Sequence, residues 1–156
     1  MLKKQMLKKT FSSQLAFLPH ISIQEFHQPD SESSVFYLTA ERPEERSVED
    51  VFRLLMEREA YAEEGWEWNR AAVEKNRDAV RTKILEPVIE HGAFSEIDGV
   101  SVLQRILAFG HKGIQLDERL FTDESRHVVI YDEWNLFLVF GYEGTTAYLY
   151  TWFTTA

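Results

Sequence analysis

Between Leu136 and Phe140 the chain reads LFLVF, five residues without a polar side chain. Side chains of a strand alternate between two faces, so a run apolar at every position needs cover on both sides of its sheet. Residues 127–131 and 145–153 flank it with β-branched and aromatic side chains, and the three segments together predict an antiparallel meander. With Glu143-Gly144 as the two-residue loop of the second hairpin, Leu138 faces Leu149 and Phe140 faces Ala147 on one face. Phe137 then faces Tyr150, Val139 faces Tyr148 and Asn135 faces Trp152 on the other. With Glu133-Trp134 as the first loop, Val129 joins the Leu138 face, while Val128 and Ile130 join the Phe137 face.

The start of the chain supplies two further strands. HISIQEFHQ places Ile21, Ile23 and Phe26 in near-alternation, VFYLTA is β-branched and aromatic, and the polar PDSESS between them is a turn. Helices occupy the middle. Ser47, with Glu49 and Asp50 in the next turn, resembles a capping arrangement, and Val48, Val51, Phe52, Leu55 and Ala62 predict a helix over 48–64 that Gly65 interrupts. A second helix is expected over 69–85, with a kink or restart at Pro87 and an end at Gly92. A third, over 100–109, is apolar around so much of its circumference that it should be largely buried, with Gly110 as its C-terminal cap. Residues 111–126 read as loop.

The chain has 156 residues, 44% of them hydrophobic, with 11 Phe. That is ample for one core, and a domain of this size buries roughly two-thirds of the surface its unfolded chain exposes. The expectation is a single α+β domain over 1–156, its central helices packed on an antiparallel sheet built from N-terminal strands and the three-strand C-terminal meander. The opening MLKKQMLKK is basic like the start of a signal peptide, but Ser12, Ser13 and Gln14 interrupt the apolar stretch after it and Pro19 stops that stretch. It reads as an N-terminal helix that is either amphipathic or, over residues 1–10, a frayed basic segment. No stretch approaches the ~20 apolar residues of a membrane span.

A formal charge of −9 argues against direct nucleic-acid binding, which needs a basic footprint. The absence of cysteine removes disulfides, thiolate metal sites and a cysteine nucleophile, and fits a reducing cytoplasm. His20, His27, His91, His111 and His127 include no pair at helical metal-ligand spacing, and His127 reads as a strand-edge residue. FGHKG at 109–113 leaves a helix C-terminus, where the dipole repels anions, so it reads as a cap and turn. Ser125 and His127 are sequence neighbours without a third catalytic member. No catalytic residue, metal or cofactor is expected.

Charge is instead segregated. Residues 41–68 hold ten acids against four arginines and end in Glu63, Glu64, Trp66, Glu67 and Trp68 at a helix break. Asp132, Glu133 and Trp134 repeat the acidic-aromatic pairing at a hairpin tip. Two readings fit. In one, the tryptophans bury against the sheet and the glutamates are a solvated helix face; in the other, the tryptophans anchor a basic partner that the acids steer. The functional expectation is a small cytoplasmic inhibitor that occludes a basic, nucleic-acid-handling protein, such as a toxin immunity protein or a phage or mobile-element anti-defence protein. The alternatives are a small-ligand binder or enzyme with a pocket against the face bearing Tyr148, Tyr150 and Trp152, and a homo-oligomer that uses that face as its self-interface.

Overall fold

A computed structural model of the chain describes residues 2–8, 21–28, 32–43, 46–110 and 113–155. The expectations placed on residues 9–20, on Pro29, Asp30 and Ser31, on Glu44 and Glu45, and on His111 and Lys112 lie outside the described residues. The sheet comprises β1 (Ile21–Gln28), β2 (Ser33–Glu41), β3 (Ser95–Ile97), β4 (Arg126–Glu133), β5 (Leu136–Glu143) and β6 (Thr146–Thr154). Its order is β1-β2-β6-β5-β4-β3, and every neighbouring pair is antiparallel. This is the α+β architecture expected, with the N-terminal hairpin docked onto the last strand of the meander. The three-residue β3 is an addition that the sequence pattern does not predict.

Register differs from expectation in two instructive ways. Gly144 and Thr145 form the second loop, closed by the Glu143–Thr146 pair, so Phe140 faces Leu149 and Val139 faces Tyr150. Gly144 has φ +58°, a left-handed value that glycine adopts at no steric cost. The shift is two residues, so every side chain keeps its expected face. The first loop is Trp134-Asn135, closed by the Glu133–Leu136 pair, and a bulge lies between Val129 and Tyr131. Val128 therefore faces Phe140 and Val129 faces Val139, the reverse of the expected assignment, because an odd slip exchanges the two faces.

The sheet divides two cores. Phe36, Leu38, Val128, Ile130, Phe140 and Leu149 pack beneath α2 (Val48–Glu64), α3 (Arg70–Val80) and α4 (Glu86–His91). On the other face Tyr37, Val129, Phe137, Val139, Tyr148 and Tyr150 pack beneath α5 (Gly99–Ala108) and the segment leading to Leu120 and Phe121. LFLVF thus has the cover its composition demands. Ser47 caps α2 by accepting the Asp50 N–H, and Gly65, at φ +70°, ends it with the Trp66 N–H reaching the Tyr61 carbonyl.

α3 and α4 form one continuous helix despite Pro87. A π turn over Arg81–Leu85, in which the Glu86 N–H reaches the Arg81 carbonyl, puts the proline in the first turn of α4, where no N–H is required. Residues 2–8 are docked, the amphipathic rather than the frayed of the two expected forms for the described part of the segment. Leu2 and Leu7 are buried in the first core, and α1 (Lys4–Leu7) is held by Arg53 Nη2, which donates to the Met6 and Leu7 carbonyls. Lys4 Nζ donates to the carbonyls of Glu90 and Gly92, capping α4.

Candidate partner-binding surface

At the end of α2 the chain turns sharply, and the turn is organised around Tyr61. Its ring meets Trp66 and Trp68 edge-on, at 5.4 and 5.1 Å between centroids, and its hydroxyl donates to the Ala72 carbonyl. Asn69 caps α3 by accepting the Ala72 N–H and donates to Glu67. Trp68 is half-buried, with the Arg58 guanidinium 5.5 Å from its ring, while Trp66 is 37% exposed. Trp66 walls a notch of about 130 Å³ whose apolar lining comes from Ala60, Ala79, Val80 and Ile84, with Glu64 and Lys83 at its rim.

Glu63, Glu64 and Glu67 are exposed. No ion pair among the described residues involves Glu63 or Glu64. Partial desolvation and the neighbouring Glu64 charge hold the Glu63 carboxyl above its usual range. Three other acids of α2 do not belong to a solvated face. Glu49, Glu57 and Glu59 are buried: Glu49 accepts the Lys3 N–H, burial raises Glu57 to about 7, and burial with Glu63 repulsion raises Glu59 to about 8.

Trp134 is 75% exposed at the β4–β5 tip, beside exposed Asp132 and Glu133. Asp132 pairs with Arg105 of α5, whose guanidinium lies 5.0 Å from the Phe137 ring centroid. Glu133 enters no ion pair among the described residues. The backbone places both tryptophan clusters toward one end of the sheet. Glu59 neighbours Thr151 on β6, so α2 points toward the end where the Asn135 carbonyl accepts the Thr154 N–H.

The face of Tyr148, Tyr150 and Trp152 is a different matter. Tyr148 and Tyr150 are buried, and Trp152 is half-buried with its ring stacked on Phe109 at 4.5 Å. Their rings pack into the second core. A polar hollow of about 310 Å³ lies at its margin, between β1, β2 and the 115–119 segment. Its groups largely satisfy each other: Gln24 exchanges two hydrogen bonds with the Gln115 backbone, Thr146 donates to Glu41, and Arg119 forks onto Asp117.

His127 is buried, not a strand-edge residue. Its Nε2 lies 2.7 Å from Ser125 Oγ and its Nδ1 lies 2.6 Å from Tyr148 Oη. Ser125 uses its hydroxyl hydrogen on the Thr122 carbonyl at 2.6 Å, so Nε2 is the donor to Oγ and Nδ1 accepts from the phenol. An imidazole that donates to a serine is not positioned to deprotonate it. The chain of bonds joins β4 and β6 to the turn before β4, and burial lowers the imidazole to about 4, keeping it neutral. Ser125–His127 is visible in the sequence; Tyr148, which completes the chain, carries no sequence signal linking it to them. Among the described residues no group of three or more His, Asp or Glu is arranged to hold a metal, and no helix is long and apolar enough to cross a membrane.

Comparison with family models, with curated proteins and with solved structures finds no match to this chain.

Proposed function

We propose that this chain is a protein-binding inhibitor that works by occlusion, of the immunity-protein or anti-defence kind, and that its target presents a basic, nucleic-acid-handling surface. The observation that carries the reading is Trp134, a large aromatic side chain 75% exposed on a two-residue loop between laddered strands. Exposed tryptophan on a rigid element is the kind of anchor that dominates binding energy at protein interfaces. Trp66, on a turn with exposed Glu63, Glu64 and Glu67, supports the same reading: an exposed aromatic beside carboxylates suits a partner surface carrying lysine or arginine. The reading assigns the chain no catalytic step, no cofactor and no direct contact with nucleic acid or membrane. Its lack of cysteine suits a cytoplasmic target.

The test begins with affinity capture from the native cell at low and high salt, identification of the protein held, and binding kinetics on that protein. Trp134→Ala is expected to speed dissociation about tenfold or more. Lysine at Glu63, Glu64 and Glu67 together is expected to slow association and flatten its salt dependence. Unchanged kinetics in both variants would sink the proposal.

A further inference from the structure

The second face of the sheet changes character at one end. Between β1, β2 and the 115–119 segment the aromatic core gives way to the hollow of about 310 Å³. β2 brings Tyr37, Thr39 and Glu41 to it, since every second residue of a strand shares a face. Register sets Gln24 beside Tyr37 and Ser22 beside Thr39, so the floor is a short ladder of hydroxyl and amide groups.

Most of these groups are already bonded: Gln24 to the Gln115 backbone, Glu41 to Thr145 and Thr146, Arg119 to Asp117. Tyr37 is the exception. Its side chain is 2% exposed in the second core, and its Oη lies beside the Asp117 backbone, at the wall of the hollow, without a hydrogen bond. A buried hydroxyl without a partner destabilises the fold that holds it, and at a cavity wall a ligand that supplies the acceptor relieves that cost. Burial pushes the phenol up to about 12, so near neutral pH it is a hydrogen-bond donor. The hydroxyls of Ser22 and Thr39 likewise enter no hydrogen bond among the described residues.

We propose that this hollow binds a small neutral polyol, a sugar-like molecule whose neighbouring hydroxyls each donate and accept. The donors and acceptors of the lining select that class. The ligand must accept from Tyr37, which neither a metal ion nor an ammonium group does. It must also lie beside the Glu41 and Asp117 carboxylates, where the one base, Arg119, is already held by Asp117, and that disfavours an anion. A polyol hydroxyl meets both demands: its oxygen accepts from the phenol, and its hydrogen goes to Glu41 or Thr39. Tyr37 is the one aromatic residue of the lining and its ring is buried, so a flat heterocycle finds no open face to stack on. The volume lies at the small end of the range for ligand pockets, roughly 300–1,000 Å³, which suits a single sugar ring.

Backbone amide chemical shifts of the isotope-labelled chain, titrated with D-glucose, D-ribose and myo-inositol, read the site directly. Glycine, inorganic phosphate and spermidine serve as zwitterion, anion and cation probes. At least one of the three polyols is expected to bind with a millimolar or lower Kd and to shift Ser22, Gln24, Thr39 and Asp117 together. Tyr37→Phe keeps the ring and removes only the hydroxyl. It is expected to weaken binding about five- to tenfold and to raise stability toward urea, a combination that a merely structural tyrosine would not give. Thr39→Val, at a half-buried position, is expected to weaken binding about threefold while circular dichroism reports an intact fold. Neither variant alters Trp134 or the turn bearing Glu63, Glu64 and Glu67, so both are expected to capture a protein partner unchanged, and this proposal and the inhibitor reading fail separately. Binding by none of the three polyols, larger shifts at these residues from glycine, phosphate or spermidine, or polyol binding undiminished by either substitution would overturn the proposal.

Discussion

His127 and Tyr148 bond to each other across a strand that belongs to neither of them. Nδ1 and Oη are 2.6 Å apart, although His127 is on β4, Tyr148 is on β6, and Gly141 of β5 stands between them in register with both. The contact exists because Gly141 has no side chain. A Cβ there would lie 2.4 Å from Tyr148 Cε1 and 2.6 Å from His127 Nδ1.

Gly141→Ala therefore forces two buried rings apart in a packed core, and is expected to cost about 1–3 kcal/mol. Urea denaturation measures it. A loss below about 0.5 kcal/mol, the range of an ordinary surface change, would show that the rings yield freely.

The buried imidazole also makes stability depend on pH. His127 titrates near 4 in the folded chain against 6.5 unfolded, so between those values the unfolded chain binds the extra proton. The contribution is complete above pH 6.5 and is lost as pH falls toward 4, by about 3 kcal/mol at most. Substituting glutamine for His127 is expected to remove that part of the slope in denaturation curves taken across this window. An unchanged slope would contradict the burial of a neutral ring.

Glu59 acts with the opposite sign. Its Oε1 is buried without a hydrogen-bond partner, and the carboxyl titrates near 8 when folded against 4.5 unfolded. Folding retains a proton that the unfolded chain releases, so stability falls as pH rises from 4.5 to 8. Above pH 6.5 the His127 contribution no longer changes, which isolates the carboxyls; Glu57, raised to about 7, adds to the same fall. Glu59→Gln is expected to flatten the 6.5–8 segment, recovering up to about 3 kcal/mol near neutral pH. If stability is flat there in the wild-type chain, Glu59 is ionised and solvated.

Arg53 is buried within α2, with Nη1 on Asp50 and Nη2 on the Met6 and Leu7 carbonyls. Arg53→Met keeps much of the side-chain volume and removes these bonds, at a cost of about 1.5–3 kcal/mol. Hydrogen exchange is expected to show residues 2–8 losing protection first. Protection lost uniformly over the whole chain would mean that Arg53 supports the core rather than the docked segment.

The features legible in the sequence are those written in local chemistry. Ser47 and Gly65 bound α2 because caps act within a turn of the residues they serve. LFLVF announces a strand covered on both sides because that requirement lies in its own side chains. The β4 register is not legible, since one bulged residue at Ile130 exchanges the faces without altering composition. Glu57 and Glu59 read as solvent-facing because charge is the local signal. Their burial depends on the sheet below and the helix beside them, which lie far off in sequence. Trp134 is legible as exposed because hairpin tips leave the core. Tyr148 is not legible as the partner of His127, since only the three-strand register brings them together.

The β2–β6 pairing, in which Ser33 meets Thr154, has a consequence for the birth of the molecule. On the ribosome, the β1–β2 hairpin emerges before the other strands of the sheet and has no neighbour on its inner edge until on the order of a hundred further residues have been made. A lone two-stranded hairpin is marginal in water, and the helices made after it have no finished sheet on which to lie. A nascent chain halted before β6 thus holds two unfinished halves and an open strand edge, the condition in which chaperones find their clients. Synthesis of β6 supplies the strand that joins the two halves of the sheet.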